Sequence, residues 1–306
     1  MTSIQTLAWL NGEILPVQEV RVSALSHTLH YGTGVFEGIR CYRQNGSGRG
    51  GVFRLRAHME RLLESACVLG INVPWNIDHL CDATLEVIRA NDFQECYIRP
   101  LVWLDEGEMG LAGGGNPVMT MIAVWEWGAY LGDDGLRNGI HCLMTSYERS
   151  TPNSVAIRAK VTGQYVTSFM AKRQVKALGI DEAILLDRDG FVSEASGENL
   201  FIGKDGALMT APDEAAILHG ITRDTILQLA QDYGIPVELR RFGRSSMYYC
   251  DEAFLTGTAA ELTPIRRVDD RDLPTSPGPI TKKLQPAYLN LVRGDHERAA
   301  EWITKL

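Results

Sequence analysis

Ser193-Glu194-Ala195-Ser196-Gly197-Glu198-Asn199-Leu200-Phe201 is the stretch from which the rest of the chain is read. It reads as two strands, 191–195 and 199–203, joined by a turn of small residues, and it places a carboxylate, Glu194, inside the first of them. An isolated lysine, Lys160, precedes it. Gly220-Ile221-Thr222 follows it and opens a helix. The order is therefore amine, acid, and a turn able to cradle an anion.

Working outward, Asp189-Gly190 and Asp205-Gly206 turns connect strands at 183–187, 191–195, 199–203 and 207–210. A strand at 140–145 and a helix at 163–178 come before them. A helix at 222–233 follows, with Ile226, Leu229, Ala230 and Tyr233 on one face and Gly234 as its stop. In the first half, Ala8-Trp9-Leu10, an Asn11-Gly12 turn, then Ile14 and Val20-Arg21-Val22 predict a hairpin. Strands follow at 38–42 and 51–55. Met59, Leu62, Leu63, Ala66 and Leu69 recur at helical spacing over 56–69, and a second helix at 77–90 turns Leu80, Thr84, Val87 and Ile88 inward. Buried strands are expected at 97–104 and 118–125. The glycine- and aspartate-rich 128–139 segment reads as a connection. Mixed elements on both sides predict an α/β (mixed α+β) protein of two domains, 1–128 and 140–306, joined by a 129–139 loop.

Composition narrows the function. The 306 residues are 45% hydrophobic and 22% charged, ordinary for a globular chain long enough for two cores. A net charge of -8 opposes non-specific nucleic-acid binding, which needs cations against phosphates. Cys41, Cys67, Cys81, Cys96, Cys142 and Cys250 form no CxxC, and no histidines stand at metal-ligand spacing, so reduced thiols and no metal are expected. Met1–Gln5 lacks a secretory n-region and no apolar run reaches membrane length, which predicts a cytoplasmic protein with no membrane partner.

Gly46-Ser47-Gly48-Arg49-Gly50-Gly51 has GxGxxG spacing but precedes a strand, whereas a dinucleotide fingerprint opens a helix; it reads as a hairpin loop. Lys160, in Ile157-Arg158-Ala159-Lys160-Val161-Thr162-Gly163, has two readings: a solvated surface charge, the commoner fate of a lysine, or an amine able to condense with an aldehyde. Glu194 is either a solvated strand residue or the acid that keeps a pyridine nitrogen protonated. Thr222 is either a plain helix cap or part of a phosphate site at a helix N-terminus. Gly257-Thr258-Ala259-Ala260 is a second turn that an anion could approach closely. Arg56, near the start of the 56–69 helix, opposes the macrodipole unless a phosphate lies there; its other reading is a surface arginine. Amine, acid and anion cradle together are the needs of pyridoxal phosphate.

Taken together, these motifs resemble the class IV, fold-type IV pyridoxal-phosphate aminotransferases, most closely the branched-chain amino-acid aminotransferases. The resemblance runs through nearly the whole chain: Tyr31-Gly32-Thr33-Gly34-Val35-Phe36-Glu37-Gly38-Ile39-Arg40, Tyr97-Ile98-Arg99-Pro100, Trp127-Gly128-Ala129-Tyr130, 193–201, 220–224 and 257–264. It implies two domains with pyridoxal 5′-phosphate between them. Lys160 is then the Schiff-base lysine and proton carrier, Glu194 the partner of the ring nitrogen, and Tyr165 that of the ring hydroxylate. Arg56, Ile221, Thr222 and Thr258 hold the phosphate, and Leu218 packs on the ring. Tyr97 and the amides of Thr258 and Ala259 receive the substrate's α-carboxylate. Arg99, Tyr31 and Tyr130 meet the distal carboxylate of glutamate, and Phe36 and Trp127 line the apolar pocket.

The implied reaction is ping-pong transamination of leucine, isoleucine or valine with 2-oxoglutarate, in a homodimer or higher homo-oligomer whose partner loops complete the pocket. Two segments depart from the family pattern: Tyr147-Glu148-Arg149-Ser150-Thr151-Pro152 lacks an arginine- and tryptophan-rich run, and Val161 stands where a smaller residue is common. The rival readings are a D-amino-acid or (R)-amine aminotransferase and an aminodeoxychorismate-type lyase of the same fold, and a non-catalytic binder.

Overall fold

The structure, a computed structural model, describes residues 6–128 and 130–306. The readings placed on Met1–Gln5 and Ala129 lie outside the described residues. By contact the chain divides into two compact units. One holds the described residues up to Trp127 with Ala159–Gly163 and Leu291–Leu306; the other holds those of Gly128–Arg158 and Gln164–Asn290.

In the first unit an eight-stranded sheet runs in the order Ile303–Lys305, Gly50–Phe53, Ile39–Arg43, Cys96–Leu104, Val118–Trp125, Leu7–Leu10, Glu13–Pro16, with Val35–Phe36 also on Cys96–Leu104. Every pairing is antiparallel. The first hairpin turns at Asn11 and Gly12, both with positive φ, as its two-residue loop requires. Its second strand ends at Pro16 and does not reach the predicted Val20-Arg21-Val22, because a 3-10 turn takes over at Val17–Glu19. The helices Leu55–Val68 and Ile77–Ala90 bury Met59, Leu62, Leu80 and Ile88 fully, and Asn76 Oδ1 caps the second by accepting from the His79 amide. Gly46–Gly51 is the tip and exit of the hairpin between Ile39–Arg43 and Gly50–Phe53, as the strand that follows it predicted.

The second unit holds a nine-stranded sheet in the order Val192–Ala195, Glu182–Leu186, Ile140–Glu148, Glu261–Val268, Glu252–Gly257, Asn199–Lys204, Ala207–Thr210, Val237–Leu239, with Arg271–Asp272 on Glu261–Val268. Three of its pairings are parallel. The Phe201 and Phe254 rings stack at 5.1 Å in its core. The helices Tyr165–Ala177 and Ile221–Asp232 lie close to the predicted ranges.

Two sequence boundaries read differently in the structure. The 129–139 segment, expected as a loop, contains a helix at Gly132–Asn138. The chain from 140 to the end is not one stretch by contact: Ile303–Lys305 pairs with Gly50–Phe53, and Arg54 stacks over Trp302 at 4.9 Å. Such pairing over long sequence separation leaves no local pattern to read.

Candidate active site

The first unit positions Lys160 by backbone bonds. Phe36 N donates to Lys160 O at 3.1 Å, Thr162 N to Gly34 O at 2.8 Å and Gly163 N to Gly32 O at 3.1 Å. Glycine is needed at 32: its φ is +69°, and a Cβ there would meet Gly163 Cα at 2.7 Å. Ser65 Oγ accepts from Lys160 N at 2.9 Å, which brings the Leu55–Val68 helix to the lysine. Lys160 Nζ lies 5.0 Å from the Phe36 ring centroid.

Arg99 stands on the strand Cys96–Leu104, among aromatic rings. Its Cζ lies 4.8 Å from the Phe36 ring, 5.4 Å from Tyr97 and 5.9 Å from Trp125. Its Nη2 donates to Tyr97 Oη at 3.2 Å, and its Nε is buried with no hydrogen-bond acceptor among the described residues. Trp127 packs edge-on against Tyr97 at 4.6 Å, and Arg40 Nη2 holds the Trp127 carbonyl at 2.6 Å. Phe36, Tyr97, Arg99, Trp127 and Lys160, singled out in the sequence, are thus brought together. Trp125 was missed; its signal is that the strand pairing sets it opposite Tyr97.

Arg56 is a correction. Its side chain is 61% exposed and engages Asp78 at 2.6 Å and Glu60 at 3.6 Å, so two acids, not a phosphate, offset its charge at the helix start. The arginine on the inner side of the same helix is Arg61, at 12% exposure, four residues before Ser65 and three after His58. Helical spacing puts these three on one face. Arg61 Nε and Nη2 grip Glu37 Oε1 and Oε2 at 2.6 and 2.8 Å, and His58 Nδ1 donates to Glu37 Oε2 at 2.7 Å. Burial alone would raise the Glu37 carboxyl, but Arg61 and His58 outweigh it and hold it well below the usual range. Burial lowers His58 despite the Glu37 charge. Tyr31, 43% exposed, donates to the Met109 carbonyl at 3.0 Å.

In the second unit Glu194 is buried and hydrogen-bonded at both oxygens. Arg149 Nη2 lies 2.7 Å from its Oε1, while Asn199 Nδ2 and Leu218 N each donate to Oε2 at 3.0 Å. Sequence reasoning missed Arg149 and Asn199 as partners, although Asn199 lies in the stretch that carries Glu194. Asn199 Nδ2 also donates to Leu218 O at 2.9 Å, tying Leu218 to the acid. Two residues after Leu218, Gly220 precedes the Ile221–Asp232 helix with no side-chain cap, so the first-turn amides have no acceptor within the helix. A Cβ at Gly220 would lie 2.0 Å from Asn199 Oδ1. Ile221 and Thr222 are buried at this helix start. Tyr165 begins its helix half-buried, and Thr258 and Ala259 occupy the turn between Glu252–Gly257 and Glu261–Val268.

Beside them, Glu182 accepts from Ser196 Oγ at 2.6 Å and pairs with Lys172, whose ammonium lies 5.1 Å from the Tyr130 ring. Burial and the neighbouring Glu182 push Glu198 up to about 8. Burial and Glu198 likewise raise the Tyr130 phenol. A clamped buried carboxylate and an uncapped helix start suit a ligand with a protonatable ring nitrogen and a phosphate, so the residues present fit pyridoxal phosphate.

The family described as amino-transferase class IV matches residues 34–268, and the chain belongs to that family. Among curated relatives, the branched-chain-amino-acid aminotransferase of Pseudomonas aeruginosa is 44% identical over 298 residues, covering 97% of this chain and 96% of its own. The crystal structure of the Escherichia coli branched-chain amino acid aminotransferase superposes with a TM-score of 0.95 at 41% identity, over 98% of both chains. The branched-chain amino acid aminotransferase of Thermobaculum terrenum, solved in its PLP-bound holo-form, gives a TM-score of 0.91 at 32% identity, again over 98% of both. The fold-type IV expectation therefore holds. No helix among the described residues is long and apolar enough to cross a membrane.

Proposed function

We propose that this aminotransferase moves the amino group of leucine, isoleucine or valine to 2-oxoglutarate with pyridoxal 5′-phosphate, releasing branched 2-oxo acids and L-glutamate. The Arg99 setting carries the reading: a cation whose partners in its own unit are neutral, surrounded by aromatic faces and close to Phe36, which lies beside Lys160. A buried γ-carboxylate needs such a cation. Apolar faces suit an aliphatic chain, at about 0.8 kcal/mol per buried CH₂. The relatives named for this activity support it.

When bound, the cofactor supplies an aldehyde that condenses with amines and a ring that takes up the electrons left at the substrate's α-carbon. Lys160 supplies the resting amine and, once released, carries the proton from Cα to C4′. Glu194, steadied by Arg149 and Asn199, keeps the ring nitrogen protonated, and Tyr165 donates to the ring hydroxylate. The Ile221 amide, Thr222, Thr258 and the inward-facing Arg61 hold the phosphate, and Leu218 packs on the ring. Tyr97 and the amides of Thr258 and Ala259 receive the α-carboxylate. Arg99 with Tyr31 and Tyr130 receives the distal one, and Phe36 and Trp127 line the side-chain pocket. The protein acts as a cytoplasmic homodimer or higher oligomer, its six cysteines free and the exposed Tyr31 serving a partner copy.

A half-reaction panel tests this. The holoenzyme is mixed with L-leucine, L-glutamate, D-alanine or (R)-1-phenylethylamine while the cofactor's absorbance is followed. L-Leucine and L-glutamate change the spectrum and the other two leave it unaltered; no response to L-leucine overturns the reading. Lys160→Ala removes the lysine-bound absorbance, and an unchanged band would point to a non-catalytic binder.

A further inference from the structure

The sheet face that carries Arg99 also carries an aromatic side chain that the motifs do not single out and that reaches the guanidinium. Trp125 stands opposite Tyr97 in the antiparallel pairing of Cys96–Leu104 with Val118–Trp125, so the two side chains project from the same face. Its ring lies 5.1 Å from that of Tyr97 and 6.1 Å from that of Trp127. With Phe36 at 4.8 Å and Tyr97 at 5.4 Å, Trp125 at 5.9 Å gives the Arg99 guanidinium a third aromatic wall.

We propose that Trp125 is a positioning residue that discriminates between the two substrate classes: it holds Arg99 where a distal carboxylate is met, and contributes little to ligands whose far end is aliphatic. The proposal rests on the reading above that Arg99 receives that carboxylate. Ordering an arginine costs side-chain entropy, and cation–π contacts offset that cost before the ligand arrives. Removing one wall leaves Phe36 and Tyr97 but opens the third side, so the guanidinium gains rotamers and water. The loss falls on ligands that need the guanidinium. A purely packing role behaves differently, because Trp125 also supports Tyr97, proposed to take the α-carboxylate common to all substrates; disturbing Tyr97 penalises every substrate alike.

The test uses the pyridoxal-phosphate-loaded enzyme. Dissociation constants for glutarate and for 4-methylpentanoate are measured by calorimetry, with KM and kcat for 2-oxoglutarate and for 4-methyl-2-oxopentanoate. Trp125→Leu is expected to weaken glutarate and raise the 2-oxoglutarate KM by about two- to thirty-fold, the range of a cation–π contact. The branched ligands and kcat stay within about twofold. Trp125→Phe keeps an aromatic face and recovers most of the loss. Trp125→Met, also non-aromatic, carries the same expectation as Trp125→Leu should that variant not fold. In an Arg99→Met background, Trp125→Leu adds nothing further for glutarate. Equal losses for both ligand classes, or none, overturn the proposal while leaving the transaminase reading intact. If Arg99→Met itself leaves glutarate binding unchanged, the assignment of Arg99 fails and the proposal with it.

Discussion

Arg149 Nη2 lies 2.7 Å from Glu194 Oε1, with the two side chains 9% and 8% exposed. A carboxylate this deep is tolerated because a guanidinium, an amide side chain and a backbone N–H all address it. Removing one member of a buried pair leaves the other uncompensated. Arg149→Met should therefore destabilise the protein by about 3–5 kcal/mol in urea unfolding, with Arg149→Met/Glu194→Gln recovering much of the loss. A single variant as stable as the parent would show that the pair is not closed in solution.

Arg56 and Arg61 share a helix and differ in face. Arg56→Ala should leave stability and pyridoxal-phosphate affinity unchanged, since its partners Asp78 and Glu60 are themselves solvated. Arg61→Ala should weaken cofactor binding by about ten- to a hundred-fold, the scale of one charge-assisted hydrogen bond. Fluorescence titration of the folded apoenzymes measures both. A larger effect at Arg56 would reverse the assignment.

Glu198 titrates late because it is buried and faces Glu182, with Lys172 and the Gly197 amide opposing and Glu194 adding to the rise. Its folded value of about 8 lies above the ordinary 4.5, so the folded state favours the neutral acid. That stabilisation is complete below pH 4.5 and is lost as pH rises through about 8. Glu198→Gln, which stays neutral, should flatten the decline. Urea midpoints at pH 5, 6.5 and 8 test this, and equal slopes for the two proteins would refute it.

Gly220 has no room for a side chain, since a Cβ would lie 2.0 Å from Asn199 Oδ1. Asn199 in turn holds Glu194 and Leu218. Gly220→Ala should displace the asparagine and weaken cofactor binding by at least about tenfold while the far-ultraviolet circular dichroism stays that of the parent, because Gly220 caps the helix from outside. Normal cofactor affinity in that variant would mean that Asn199 can move without cost.

Much of this was legible in the sequence. Asn11-Gly12 specified a hairpin, Met59 and Leu62 a helix face, and Leu80 and Val87 another, because turn chemistry and 3.6-residue spacing act over a few residues. Arg56 misled because position along a helix was read without its face; the repeat of His58, Arg61 and Ser65 held the correction. Trp125 and Arg149 carried no motif, since each matters through a partner on another strand or segment.

The sequence by itself determined which residue types were present and in what order: the amine at Lys160, the acid at Glu194, the Gly220-Ile221-Thr222 turn that opens a helix, and the strands and helices bearing them. These are local properties, set by spacing, turn residues and propensity. The tertiary structure alone decided that Arg149 and Asn199 clamp Glu194, that Arg61 rather than Arg56 faces inward beside Glu37, and that Phe36, Tyr97 and Trp125 surround Arg99. Those neighbours are set by strand register and by loops closing over long sequence distances, which no short window of residues encodes.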